Sequence, residues 1–338
     1  MAMAQSITAA TEEMLADWQQ RLRPGVPFDL EAEMMDLAIQ ISVETLFGSA
    51  VADDAETVNR AVSTAFSILH QRVLSALPFP WWVPLPGNVR FLRAVASLEE
   101  VVYDIIEDRR QNGVEGHDVL STLLSVRDEA GAAMPVRMVR DEVVTMLVAG
   151  HESTGITLSW TLYLLSRYPQ IAHAVEEELA AVLGGRAPGF EDLPKLPYLG
   201  MVLKESLRLY PPFWLLTRTP LADDELDGHR IPAGAILLFS PYVTHRRPDF
   251  WPNPEAFDPE RFRPEVVATR PPFAYYPLGG GPRVCIGGRL AEMQATLVLA
   301  ALLQRYSFHA LPGKRVEPAA SLSLRPAGGL WMTLHERA

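Results

Sequence analysis

Apolar residues recur at three- and four-residue spacing through the first three-fifths of the chain, which predicts one helix after another. The pattern predicts helices over Thr11 to Leu22 and Leu30 to Phe47, with Gly48 as a C-terminal stop. Helical spacing continues from Ala52 to Leu77, where LPFPWWVPLPGN, Leu77 to Asn88, breaks it with four prolines. Phe91 to Gln111 is amphipathic and ends at Asn112-Gly113, and Asp118 to Arg127 reads as a short helix. Pro135 sits well as the first residue of a very long element that runs to about Tyr168 and is stopped by Pro169. Against a mean helix of ~11–12 residues, that length suits a helix crossing the whole molecule. Pro169 to Leu183 and Tyr198 to Leu209 follow, the second ended by Pro211-Pro212.

The character then changes. Asp227-Gly228 is a hairpin turn signal, and Arg230 to Ser240 has strand character interrupted by Pro232 to Gly234. Pro248 to Glu265 is ordered but irregular. Ile286 to Tyr306 is predicted as a helix, and the end of the chain as a hairpin turning at Ala327-Gly328-Gly329. The fold class is therefore mainly α with a minor β part.

Composition narrows the function. Of 338 residues, 48% are hydrophobic, enough for a large core. With 30 basic against 41 acidic residues the net charge is −11, a poor match to nucleic acid or anionic lipid. The first residues have no basic region followed by an apolar run, and so do not read as a signal peptide. The longest uncharged helical stretch, Ser153 to Ser166, falls short of the about 20 apolar residues a membrane span needs. A cytoplasmic protein is expected.

The single cysteine, Cys285, has no disulfide partner within the chain and lies in YYPLGGGPRVCIGG, Tyr275 to Gly288. Gly279, Gly280 and Gly281 permit backbone angles closed to other residues and let a flat, bulky group approach the main chain. A cysteine at the start of the Ile286 helix meets unpaired N–H groups and the positive end of the helix dipole, which favour an anionic sulfur. Arg283 adds a cation. Such a sulfur serves as a nucleophile or as a metal ligand, while a buried cysteine beside a glycine turn is the bland alternative.

The whole pattern, Tyr276-x-x-Gly279-x-Gly281-Pro282-Arg283-x-Cys285-Ile286-Gly287, resembles the haem-binding loop of the cytochrome P-450 superfamily, the haem-thiolate monooxygenases. The resemblance implies that Cys285 is the axial ligand of the iron of haem b, pushing electron density toward bound O2. It implies that Arg283 pairs with a haem propionate, and that Leu278, Gly279 and Gly287 lie against the cofactor. Leu278 stands where the family usually has phenylalanine, which is expected to tune the redox potential.

Three further motifs follow the family order. KESLR, Lys204 to Arg208, sets Glu205 and Arg208 at i,i+3 on one helix face. Read alone, such a pair is a solvated contact worth ~0–1 kcal/mol. The resemblance makes it buried and structural, joined by Arg261 of PERF. AGHEST, Ala149 to Thr154, lies in the middle of the long helix. Gly150 and Gly155 each weaken a helix interior by about 1 kcal/mol, and hydroxyls at Ser153 and Thr154 can bond back one turn and bend it. A groove over the haem is expected there, lined by Ala149 and Gly150, with Glu152 and a neighbouring hydroxyl as a proton relay. The family usually has threonine after the acid, where this chain has Ser153 and then Thr154; serine lacks the methyl that fixes its rotamer. Arg218 in PPFWLLTR matches an arginine that reaches the second propionate. The loop with Trp81 and Trp82 resembles a mobile connection over the substrate channel, although two tryptophans in a Pro-rich loop are equally core anchors. His151 and His245 have no companion at zinc-like spacing.

The match begins around Leu15 to Gly48, which looks like the family's fourth and fifth helices. The expectation is a single haem-binding monooxygenase domain over residues 1–338, of cytochrome P-450 fold but N-terminally truncated, with a long central helix over the haem and the cysteine loop beneath. It would insert one atom of O2 into an apolar organic substrate, with electrons from a separate ferredoxin- or flavodoxin-type donor and its reductase. The alternatives are a truncated haem-binding remnant without turnover, and a peroxide-driven relative, which Glu152-Ser153 argues against.

Overall fold

The computed structural model of the chain describes residues 2–48, 55–73, 75, 79–112 and 118–337. Helix α1 (Ala2–Arg21) starts nine residues before its expected position. Its buried positions are Ala4, Ile7, Ala10, Thr11, Leu15 and Trp18, a helical stripe whose first half is mostly small residues. Helix α2 (Leu30–Phe47) has the bounds its apolar pattern predicts, with Asp29 capping its first turn and Gly48 ending it at φ 65°. Helices α3 (Ala55–Val73) and α4 (Pro86–Asn112) flank the Pro-rich connection, of which Leu77 and Pro78 lie outside the described residues, as do Ala52 and Gly113. Helix α5 (Val119–Ser125) is capped by Asp118.

Helix α6 (Val136–Arg167) is the 32-residue axis of the molecule. Its N-terminal half sends Val139, Val143 and Leu147 into one apolar cluster with Val58, Val62, Val102 and Ile106 of α3 and α4. Its C-terminal half sends Leu158, Leu162 and Leu165 into a second cluster with α1 and, once formed, α7 (Pro169–Leu183), α8 (Pro197–Leu209) and α11 (Gly288–Arg305). The polar AGHEST turn lies between the two clusters. Helix α2 closes on the back of α6 so tightly that a Cβ on Gly155 would lie 2.5 Å from Met35 Sδ and 3.1 Å from Met35 Cα.

The β part is small. Strand β1 (Phe28–Asp29) pairs with β9 (Trp331–Glu336), which pairs in turn with β6 (Tyr306–Ala310), all antiparallel. Strands β2 (Leu216–Arg218) and β5 (Leu237–Phe239) form a second pair, in register Leu216 to Phe239. Strands β3 (Asp224–Leu226) and β4 (His229–Ile231) make the predicted hairpin, with Asp227 and Gly228 both at positive φ as a two-residue hairpin turn demands. Strands β7 (Pro318–Ala320) and β8 (Leu324–Pro326) pair with each other. The turn at Ala327 to Gly329 is therefore not a hairpin, a correction to the sequence reading. It carries the chain from β8 to a different sheet, and the Asp29 side chain, which accepts from Leu330 N at 3.0 Å, holds it there.

Two short helices, α9 (Pro241–Thr244) and α10 (Pro264–Val267), lie in the irregular stretch. Helix α11 starts at Gly288, two residues later than predicted. Gly287 and Gly288 favour a turn, and Gly288 N bonds the Cys285 carbonyl at 3.4 Å before the helix begins.

Candidate functional site

The cysteine loop is shaped by its glycines. Gly279 and Gly281 have φ of 78° and 70°. Gly280 is extended, but a Cβ there would sit 2.5 Å from the Phe273 ring. Cys285 N donates to the Leu278 carbonyl at 3.0 Å, closing the loop and leaving the sulfur exposed. The same loop leaves apolar side chains in the open: Leu278, Val284 and Ile286 are 39%, 53% and 94% exposed.

Two clefts meet at the sulfur. One, of about 330 Å³, runs between the loop and α6; Ala149, Ser153, Thr154, Leu278, Gly279 and Cys285 are among its lining residues. The other, of about 490 Å³, continues outward past Leu216, Leu278, Gly279 and Cys285 to Arg218 and Arg283. The structure thus brings together Cys285, both arginines, Leu278, Gly279, Ala149, Ser153 and Thr154. Gly287 lies beside the sulfur, a Cβ there standing 3.9 Å from Sγ. Gly150 is placed elsewhere, against Ser42 Oγ of α2. Ser153 donates to the Ala149 carbonyl at 3.0 Å and Thr154 to the Gly150 carbonyl at 2.8 Å, so both hydroxyls bond back along α6.

Glu152 is buried and lies apart from the cavity. Its Oε1 is 2.7 Å from His70 Nε2 and accepts from Ser323 Oγ at 2.9 Å. Burial pushes its carboxyl up, but the His70 and Ser323 hydrogen bonds and the nearby Arg325 outweigh that and hold it below the usual value. Arg325 itself pairs with buried Glu31 at 2.5 Å. None of these partners is adjacent in sequence: His70 is 82 residues from Glu152 and Ser323 is 171 away, so no local pattern announces them.

Beneath the loop, Glu205 and Arg208 are fully buried and paired through two bonds of 2.7 and 2.8 Å. Arg208 spends its remaining donors on the carbonyls of His245, Pro254 and Ala256. Arg261 Nε stands 3.4 Å from Glu205 Oε1, a charge contact, while its NH2 group bonds the Asn253 carbonyl. Arg270 lies over the Trp251 and Phe262 rings, at 4.3 and 4.7 Å from their centroids. His151 is buried edge-on to Phe66 and bonds the Leu147 carbonyl. His245 bonds the backbone at both ring nitrogens. Among the described residues no group of three or more His, Cys, Asp or Glu is arranged to hold a metal ion, and no helix is long and apolar enough to cross a membrane. Trp81 stacks on Phe91 at 4.1 Å with Arg72 over its other face, while Trp82 is 81% exposed.

Comparison with known proteins settles the family. The family model described as Cytochrome P450 matches residues 1–332. The chain belongs to the cytochrome P450 family. It is 37% identical over 308 residues to cyclooctat-9-en-7-ol 5-monooxygenase of Streptomyces melanosporofaciens, covering 90% of this chain and 66% of that protein. It is 33% identical to pentalenene oxygenase of Streptomyces avermitilis over 302 residues, 89% of this chain and 67% of the relative. The chain thus spans about two thirds of the length of these relatives. Among solved structures, the retinoic acid bound cyanobacterial CYP120A1 superposes with a TM-score of 0.88 at 30% identity, covering 98% of this chain and 74% of that one. The cytochrome P450DA heme domain superposes at 0.89 and 26% identity, covering 99% and 73%.

Membership of the P450 family implies a haem, and the residues present fit one. A macrocycle with two apolar faces and two carboxylates matches an apolar slot that meets a lone sulfur and opens beside two arginines.

Proposed function

We propose that this P450 is a monooxygenase that inserts one atom of O2 into an apolar organic substrate, with residues 1–338 forming one haem-binding unit. The observation that carries the reading is the convergence of two clefts on Cys285, one bordered by α6 hydroxyls and the other by Arg218 and Arg283. Cys285 would hold the iron of haem b, the two arginines its propionates, and Leu278 with Gly279 its face. When bound, the haem supplies the activation of dioxygen.

The chain's own residues supply position and protons. Ser153, its hydroxyl hydrogen committed to the Ala149 carbonyl, offers its lone pairs at the cavity wall. Glu152, adjacent on the helix, passes a proton to that hydroxyl once it turns away from His70 and Ser323, and Thr154 supplies a second hydroxyl on the same wall. The buried Glu205 and Arg208 pair, with Arg261, keeps the segment under the loop fixed. Electrons come from a separate ferredoxin- or flavodoxin-type donor. Two relatives named for oxidation of cyclic terpenoids, and an apolar cavity wall that includes Leu203, Leu207, Phe213 and Leu216, favour a cyclic terpenoid as the substrate class.

The test is the carbon monoxide difference spectrum of the reduced protein, followed by turnover of pentalenene and cyclooctat-9-en-7-ol under ¹⁸O₂. A strongly red-shifted Soret band that Cys285→Ala removes, with one labelled oxygen in the product, is expected. A band that survives Cys285→Ala overturns the ligand assignment; haem uptake without oxygen insertion into any terpenoid overturns the activity.

A further inference from the structure

Behind α6, on the side away from the cysteine loop, lies a polar cleft of about 460 Å³ lined by Asp36, Ser67, His70, Gln71, Glu152 and Arg325 among others. His70 lines that cleft beside Glu152, with 13% of its side chain exposed. Its two ring nitrogens are engaged end to end. Nε2 lies 2.7 Å from Glu152 Oε1, and Nδ1 lies 2.7 Å from Ser321 Oγ in the turn between β7 and β8.

The hydrogen positions follow from the partners. An ionised carboxylate only accepts, so Nε2 carries the hydrogen and donates to Glu152. Nδ1 of the neutral ring then holds a lone pair, and the Ser321 hydroxyl donates to it. If the ring takes up a second proton, the same hydroxyl accepts instead, so neither state breaks the chain. An arginine or lysine at position 70 would pair with Glu152 but would not exchange protons in the neutral range, as histidine does.

We infer that His70 is a proton-relay residue for Glu152, fed through the half-buried Ser321 hydroxyl on the other side of its ring. In each cycle Ser321 passes its hydroxyl hydrogen to Nδ1 and takes another from a solvent hydronium ion, leaving water, while the Nε2 hydrogen moves to Glu152 Oε1. One proton is transferred from hydronium to the carboxylate, no electrons move, and the ring is left as its other tautomer, which reverts by proton exchange with water. His70 acts through Glu152 and touches neither substrate nor haem, so it is a positioning residue. The charged groups sharing its surroundings are Glu152 on α6, Asp36 on α2 and Arg325 on β8, the last paired with Glu31. His151, also on this cleft, bonds the Leu147 carbonyl instead. The inference rests on Glu152 being the proton donor of the proposed reaction.

The decisive variant is His70→Gln, whose amide can still donate to Glu152 and accept from Ser321 but cannot relay a proton. Oxygen uptake of the haem-loaded full chain, driven by reduced ferredoxin, is measured in H₂O and D₂O across pH for wild type, His70→Gln and Glu152→Gln. Haem content and the carbon monoxide spectrum are recorded alongside. Histidine-labelled NMR of the reduced carbon monoxide form follows the His70 ring independently of turnover. Expected is an intact spectrum with uptake about tenfold lower in His70→Gln, a larger solvent isotope effect, and altered His70 ring resonances when Glu152 is neutralised. A wild-type rate and isotope effect in His70→Gln, with both altered in Glu152→Gln, overturns the relay alone. A wild-type isotope effect in Glu152→Gln overturns the role of Glu152 and the relay with it.

Discussion

The ring of His245 accepts a hydrogen bond from the backbone N–H of Tyr276 at 2.9 Å, at the point where the chain enters the cysteine loop. Its other nitrogen faces the Arg208 carbonyl at 3.3 Å, so a neutral ring with its hydrogen on Nδ1 satisfies both contacts. One imidazole thereby joins the buried ion pair of α8 to the loop that presents the sulfur.

Acid should loosen that joint. Burial, aided by the charges of Arg208, Arg246 and Arg270, lowers the His245 pKa to about 3 from the ordinary 6.5. Between those values the unfolded chain binds a proton that the folded chain refuses, so protonation favours unfolding. The contribution is complete above about pH 6.5 and is lost as pH falls toward 3, at up to about 1.4 kcal/mol per pH unit. Urea unfolding at pH 4, 5, 6 and 7 is expected to show this slope in the wild type and a shallower one in His245→Gln.

Arg208→Lys should be severe despite keeping the charge. The guanidinium uses five donors on Glu205 and three carbonyls, whereas lysine has three donors on a flexible stem. Buried acceptors left unmatched beside a weakened ion pair should cost about 3–5 kcal/mol. The expected result is a lower urea midpoint together with loss of haem on gel filtration.

The two glycines of α6 should respond in opposite directions. Alanine gains about 1 kcal/mol over glycine in a helix interior. At Gly150 the new Cβ meets only Ser42 Oγ at 3.4 Å, so Gly150→Ala is expected to raise stability by up to about 1 kcal/mol. At Gly155 it collides with Met35 Sδ at 2.5 Å and with backbone of α2 at 3.1 and 3.2 Å. Gly155→Ala is expected to be net destabilising by about 1–3 kcal/mol, because α2 cannot yield as a side chain can. Thermal unfolding of the two variants decides it.

Arg218 and Arg283 should act as parallel weak holds. Both stand on an open cleft, where a charge pair contributes about 0.2–1 kcal/mol. Each change to glutamine alone is expected to speed haem transfer to apomyoglobin only a few-fold, and the double change by the product of the two.

The elements most legible in the sequence were those with strong terminal signals. Helix α7 runs from Pro169 to Leu183, and α2 from Leu30 to Phe47, as their prolines, glycine and apolar spacing predict. The first half of α1 was hidden because its buried face, Ala4, Ala10 and Thr11 beside Ile7, is mostly small residues that weigh little in an apolar pattern. The turn at Ala327 to Gly329 misled because glycines announce a reversal but not which strand receives the chain. For the site, the cysteine loop and the Glu205 and Arg208 pair have local spacing that carries meaning. The partners of Glu152 do not, since α3 and the β7–β8 turn reach it only through tertiary packing.

The division of α6 between two apolar clusters has a mechanical consequence. Its C-terminal half is welded to α11, whose start follows Cys285, while its N-terminal half is welded to α3 and α4. Helix α2 bridges the same two clusters, with Leu37 and Ile41 in one and Val43 and Phe47 in the other. Two helices therefore brace the clusters against each other across the turn that carries Ser153 and Thr154.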